Sequence, residues 1–192
     1  MGRTGLFFGS FNPIHIGHLI IAEYLVEHSD LEEIWFVISP NNPLKNKKTL
    51  LHEYQRYYMV QAAIEDDPRF KTCAVEFNLP QPSYTCTTLL KLNELYPKKE
   101  FAIIMGEDNL ESIEKWKNYE FILQYYPIYV YPRTGYKNDK TYEGASVTKV
   151  NAPRIELSAT MIRENIKAGK SVRYCLPPAV AEYIDKMNVY RK

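Results

Sequence analysis

The sequence is poor in cysteine and in net charge, and it contains no long apolar run. Its only cysteines are Cys73, Cys86 and Cys175, three in 192 residues. Their number and scatter exclude a disulfide framework or a zinc knuckle, and they read as buried or idle thiols in a reducing compartment. Lys and Arg total 24 against 23 Asp and Glu, a formal net charge of +1. That balance argues against wholesale binding to nucleic acid or to a membrane, while leaving room for a local basic site that takes a small anion. No stretch approaches the roughly 18 apolar residues of a membrane span. The run Leu6-Phe7-Phe8 before Gly9 is too short for the apolar part of a signal peptide. The reading is a cytoplasmic chain. Internal repeats, low-complexity tracts and an obvious linker are also missing.

Hydrophobic residues make up 45% of the chain, enough for a sizeable core in one domain with a small helical part from about residue 153. Short apolar runs alternate with helical patterns. Strands are predicted at Gly5–Phe8, Ile34–Ile38, Phe70–Phe77, Phe101–Met105, Ile128–Tyr131 and Val147–Val150. Helices are predicted from Ile16 to about Ser29, at Leu51–Ile64, Thr85–Leu95, Asn109–Lys115, Tyr119–Gln124, Ala159–Ala168 and Ala179–Met187. Pro40-Asn41-Asn42-Pro43 opens a loop carrying Lys45, Lys47 and Lys48. The alternation predicts an α/β fold, a Rossmann-like parallel sheet flanked by helices, with ligands beyond the carboxyl ends of the strands.

The segment richest in chemistry runs from Gly9 to His18: a strand end, a glycine turn, then His15-Ile16-Gly17-His18 opening a helix. Gly9 would let backbone approach a ligand. The helix N-terminus would offer unpaired N–H groups and partial positive charge to an anion. His15 and His18 can donate to phosphate oxygens, and Gly17 leaves room for a base or a phosphate. A second segment, Leu157-Ser158-Ala159-Thr160-Met161-Ile162-Arg163, repeats the logic. Ser158 can cap a helix, Thr160 adds a hydroxyl, and Arg163 one turn later can hold phosphate bidentately.

His-x-Gly-His after a glycine turn on the first strand resembles the signature of the nucleotidyltransferase superfamily. Leu157–Arg163 resembles the second signature, Ile-Ser-Ser-Thr-x-Ile-Arg, of small adenylyltransferases. The whole chain most resembles the nicotinate-nucleotide adenylyltransferases. Pro40–Lys45, Ser83-Tyr84-Thr85, Met105–Asn109 with Trp116, and Tyr131–Gly135 resemble that family's intermediate segments. Three segments depart from its pattern. The first turn reads Gly9-Ser10-Phe11-Asn12-Pro13, without the usual leading Gly and Asp; Leu44 replaces a His; and Ala159 replaces a common Ser.

The resemblance implies transfer of AMP from ATP to nicotinate mononucleotide. It implies catalytic roles for His15, His18, Lys45 and Arg163, and ATP contacts from Gly9, Ser10, Phe11, Gly17, Gly106, Asp108, Ser158 and Thr160. Acceptor contacts would come from Tyr84, Thr85, Trp116, Lys117 and Arg133. Mg²⁺ would arrive bound mainly through the ATP phosphates, since no all-protein metal cage is visible. The alternatives are a phosphopantetheine or other small acceptor in the same superfamily, and a non-catalytic nucleotide sensor. Oligomeric state is not legible.

Overall fold

The computed structural model describes residues 2–40, 50–136 and 140–191. Among them the chain forms β1 (Arg3–Gly9), α1 (Ile16–His28), β2 (Leu31–Ile38), α2 (Glu53–Ile64) and β3 (Phe70–Cys73). It continues through α3 (Thr85–Leu95), β4 (Phe101–Gly106), α4 (Glu107–Glu111), α5 (Tyr119–Tyr125), β5 (Ile128–Tyr131) and β6 (Val147–Lys149). The helices α6 (Ala159–Lys167) and α7 (Pro178–Met187) follow. All strand pairings are parallel, in the order β3-β2-β1-β4-β5-β6. β1 and β4 are therefore neighbours although three helices and two strands separate them in sequence. The connections from these two strands run to opposite halves of the sheet, which opens a crevice at their carboxyl ends.

Strand periodicity divides the core in two. Phe7, Ile34, Phe36, Ile38, Ala102, Ile104, Tyr129 and Tyr131 point to one face, where they meet Ile21 and Leu25 of α1, Met59 and Val60 of α2, and Ile162, Val180 and Ile184 of the last two helices. Their sequence neighbours Leu6, Trp35, Val37, Ile103, Met105, Ile128 and Val130 point to the other face, against Leu89 and Leu92 of α3 and Ile122 of α5. Burial on both faces explains the unbroken apolar runs of β2 and β4. Each fully buried Leu, Ile or Phe in these layers contributes on the order of 1.5–3 kcal/mol of transfer free energy.

Two predicted elements end differently. The strand expected over Phe70–Phe77 stops at Cys73, and Val75–Asn78 forms a 3₁₀ turn. β3 pairs only with Ile34–Val37 of β2, so the chain beyond Cys73 has no ladder to join. The turn instead satisfies its backbone locally, with Phe77 N donating to Ala74 O at 3.0 Å and Leu79 N to Glu76 O at 3.2 Å. The helix expected over Asn109–Lys115 is split into α4 and a 3₁₀ turn at Ile113–Lys115. Among the described residues no helix is long and apolar enough to cross a membrane.

Candidate active site

The turn after β1 is shaped by an aromatic ring lying on a glycine. A Cβ added at Gly9 would sit 2.7 Å from Phe11 Cζ and 2.9 Å from two further ring atoms. Gly9 is thus needed to admit the Phe11 ring. Phe11 itself has a left-handed φ of +44°, costly for a residue with a side chain. Its ring is held edge-on by Phe7, His18 and Phe36, with centroids 5.9, 5.1 and 5.5 Å away.

His15 is the N-cap of α1 and His18 stands three residues into it. Their rings stack with centroids 3.7 Å apart. His15 N donates to His18 Nδ1 at 3.2 Å. With Nδ1 accepting, the neutral His18 ring carries its proton on Nε2 and is a donor there. His15 is only 6% exposed, and its Nδ1 is buried with no hydrogen-bond partner. Burial first, and the Arg133 charge second, push the His15 pKa down to about 4, so its ring is neutral at physiological pH. A Cβ at Gly17 would come within 3.1 Å of His15 Nδ1 and 3.2 Å of Ile155 Cγ2, so Gly17 makes space for the folded-back imidazole.

The expectation of unpaired amides at the start of α1 needs correction. Ile16 N donates to Cys175 O at 3.1 Å and His18 N to His15 O at 2.9 Å. The loop before α7 and the helix's own first turn take these two groups. At the second motif Ser158 caps α6 as expected, accepting from Met161 N at 3.2 Å.

Arg163 joins the two motifs. Its Nη1 donates to the Asn12 carbonyl at 2.8 Å and its Nη2 to Thr160 Oγ1 at 3.3 Å. The Asn12 side chain accepts from Tyr190 Oη at 2.7 Å and from Leu51 N at 3.3 Å. A neutral amide there ties three chain segments together, which gives position 12 a structural use without a carboxylate.

Arg56 was not singled out in the sequence and is fully buried. Its guanidinium donates to the carbonyls of Leu51 (2.9 Å), Ser10 (2.6 Å), Ser39 (2.9 Å) and Pro40 (3.1 Å). It fastens the first turn to the end of β2 and the start of α2. Burial lowers its pKa to about 10, which leaves it charged at neutral pH. A signal existed: Arg56, Met59, Val60 and Ile64 share one stripe of α2, and an Arg at apolar spacing on a helix marks a buried anchor.

The other half of the crevice is built on α3 and α4. Tyr84 is the N-cap of α3 and Thr85 its first residue. The Lys117 ammonium lies 4.7 Å from the centroid of the Tyr84 ring. Trp116 is half-buried against the second core layer, and its backbone N–H is spent on Ile113 O at 2.8 Å. Glu76, also missed, accepts from Ser83 Oγ and Thr88 Oγ1 at 2.6 and 2.9 Å. Burial raises its pKa, against the opposing pull of the Ser83, Thr88 and Ser39 hydroxyls. Gly106 caps α4, and any side chain there would overlap the Asp108 carboxylate. Asp108 Oδ1 is buried without a hydrogen bond and faces Arg133 Nε at 3.5 Å.

One cavity of about 800 Å³ gathers these groups. From the first motif, Gly9, Ser10, Phe11, His15, Gly17 and His18 line it; from the second, Ser158, Thr160 and Arg163. Tyr84, Thr85, Asp108, Trp116, Lys117 and Arg133 line it as well. Gly106 stands behind Asp108 rather than on the surface of the cavity. Lys45 lies outside the described residues.

The cytidylyltransferase-like family matches residues 6–165 of the chain. A relative from Flavobacterium psychrophilum, named "Probable nicotinate-nucleotide adenylyltransferase", is 52% identical over 99% of this chain and 100% of its own length. One of the same name from Bacteroides fragilis is 46% identical over 95% of this chain and 90% of its own. The fold resembles Plasmodium falciparum nicotinic acid mononucleotide adenylyltransferase complexed with NaAD, at a TM-score of 0.81 and 20% identity, covering 99% of this chain and 98% of that one. The same protein complexed with APC gives 0.80 at the same identity and coverage. Matched along nearly its whole length by such relatives, the chain belongs to the nicotinate-nucleotide adenylyltransferase family within the cytidylyltransferase-like group.

Proposed function

We propose that this protein transfers AMP from ATP to nicotinate mononucleotide, forming deamido-NAD and pyrophosphate. The observation that carries the reading is the Arg163–Asn12 bond at 2.8 Å, which brings the two phosphate-binding motifs together in the cavity that Tyr84, Thr85 and Trp116 also line. An oxygen of the acceptor's phosphate attacks the α-phosphorus in line. The bond from that phosphorus to the bridging oxygen breaks, and pyrophosphate leaves with the electron pair. The acceptor dianion is already a nucleophile, so positioning and charge stabilisation suffice.

His18 is assigned to the α-phosphate and the bridging oxygen, through its Nε2 donor. His15, neutral and stacked on His18, braces that ring and adds a donor rather than a charge. Arg163, Thr160 and Ser158 hold the departing pyrophosphate, with Lys45 assigned to the same task. Trp116 offers a flat face to the pyridine ring. The wall fits a magnesium ion that enters on ATP. Its two carboxylates among the described residues are Glu76, hydrogen-bonded at both oxygens, and Asp108, whose buried Oδ1 has no hydrogen bond. Asp108 would hold the ion with the phosphates and water, and the ion would neutralise phosphate charge. The three free thiols suit the reducing conditions of the cytoplasm.

A pyrophosphate-release assay with ATP and a panel of acceptors tests the assignment. Turnover with nicotinate mononucleotide is expected. Turnover on phosphopantetheine alone, or ATP binding with no pyrophosphate from any acceptor, would overturn it.

A further inference from the structure

Glu76 is a charged side chain, 3% exposed, on the wall of the cavity but far in sequence from either phosphate motif. It sits on the 3₁₀ turn that follows the edge strand β3. One carboxylate oxygen accepts from Ser83 Oγ at 2.6 Å and the other from Thr88 Oγ1 at 2.9 Å. Its backbone carbonyl accepts from Gln81 Nε2 at 3.0 Å. Thr88 Oγ1 also lies 3.2 Å from Tyr84 O, and Thr88 N donates to that carbonyl at 3.0 Å. A single residue thus holds the stretch that enters α3 on both sides of Tyr84 and Thr85.

We propose that Glu76 is a positioning residue for the acceptor, fixing the Ser83–Thr85 segment and the direction in which its hydroxyl hydrogens point. The idea rests on the acceptor assignment given above. Its chemistry follows from hydroxyl valence. Ser83 and Thr88 each have one hydrogen, and each gives it to Glu76, so neither can donate to a ligand. Thr85, which also lines the cavity, is left as the aliphatic hydroxyl donor of this segment, beside the Tyr84 phenol. A buried carboxylate is costly, and an apolar side chain would fill the same volume at less expense. What the carboxylate supplies is two acceptors at a fixed separation. A glutamine would keep one acceptor and replace the other with a donor. One of the two hydroxyls would then have to turn round, freeing its hydrogen and loosening the segment.

The test compares steady-state kinetics of the full chain with Glu76→Gln and Ser83→Ala, each checked for folding by thermal melting. Glu76→Gln is expected to raise KM for nicotinate mononucleotide about tenfold, equivalent to about 1.4 kcal/mol, with KM for ATP changed less than about twofold. Ser83→Ala removes one of the two bonds and leaves the carboxylate in place. It should raise the acceptor KM a few-fold in the same selective way, and it decides the matter alone should Glu76→Gln not fold. A rise of equal size in both KM values would mean a general structural role. An unmoved acceptor KM in the folded variants would also overturn the proposal. Both results presuppose wild-type turnover on nicotinate mononucleotide, and its absence would instead sink the function on which the idea rests.

Discussion

Arg163 Nη1 donates to the backbone carbonyl of Asn12 at 2.8 Å, across 151 positions of sequence. The guanidinium is therefore already oriented before any phosphate arrives. Part of its donor set holds the first turn in place while the rest faces the cavity.

Arg163→Lys should consequently be a damaging substitution despite keeping the charge. An ammonium cannot bond Asn12 O, Thr160 Oγ1 and a phosphate in one plane. Expected are a higher KM for ATP and a kcat reduced at least tenfold. Wild-type kinetics in the lysine variant would mean that Arg163 holds the first turn but not the ATP phosphates.

His18→Ala should fold and bind ATP, yet lose about 10²-fold or more in kcat, the usual consequence of deleting a donor aimed at developing charge. Single-turnover rates with saturating substrates are the measurement, since they isolate the chemical step.

His15 makes stability depend on pH. Its folded pKa of about 4 lies below the ordinary value of 6.5. Between those values the unfolded chain binds the proton and the folded chain does not, so stability falls as pH drops from 6.5 towards about 4. The loss attributable to this group is of order 3 kcal/mol at most. Urea unfolding across that window should show a shallower decline for His15→Asn than for the native chain. Parallel curves would place the pH dependence elsewhere.

Gly9→Ala should lower stability by roughly 1–3 kcal/mol, because the new methyl must displace a ring packed on three sides. Activity should fall as well, since Phe11 and His18 are in edge contact. Thermal melting and kcat together check this; a variant as stable as the native chain would show that the Phe11 ring yields easily.

Nicotinate mononucleotide should be preferred over nicotinamide mononucleotide by tenfold or more in kcat/KM. Thr85 donates, and Lys117 and Arg133 supply positive charge to the same cavity, whereas an amide would set its NH₂ against a donor at about 1–3 kcal/mol. Trp116→Ala should weaken both acceptors and Thr85→Val chiefly the nicotinate form. Competition between the two mononucleotides in one reaction measures the ratio directly.

The sheet was legible because strands buried on both faces must be apolar throughout, and Ile34–Ile38 and Phe101–Met105 are. The two phosphate motifs were legible because their residue types are rare in combination. Less visible was where backbone donors go. Gly9 and Gly17 line the cavity, but they also make room for Phe11 and His15, and only three-dimensional packing reveals such partners. At the start of α1, the carbonyls of Cys175 and His15 take the amides of Ile16 and His18, pairings that no sequence pattern announces. Glu76 was hidden because Phe70–Phe77 read as one strand, and a strand register says nothing about the 3₁₀ turn that points its side chain inward.

Arg56 contacts its four partners through their carbonyl oxygens, an atom every amino acid carries. Residues at Ser10, Ser39, Pro40 and Leu51 are therefore free, as far as this contact is concerned, to drift in identity, whereas position 56 is not. A saturation library scored for growth should show that asymmetry: near-complete intolerance at 56, lysine included, beside broad tolerance at its partners wherever no other contact constrains them.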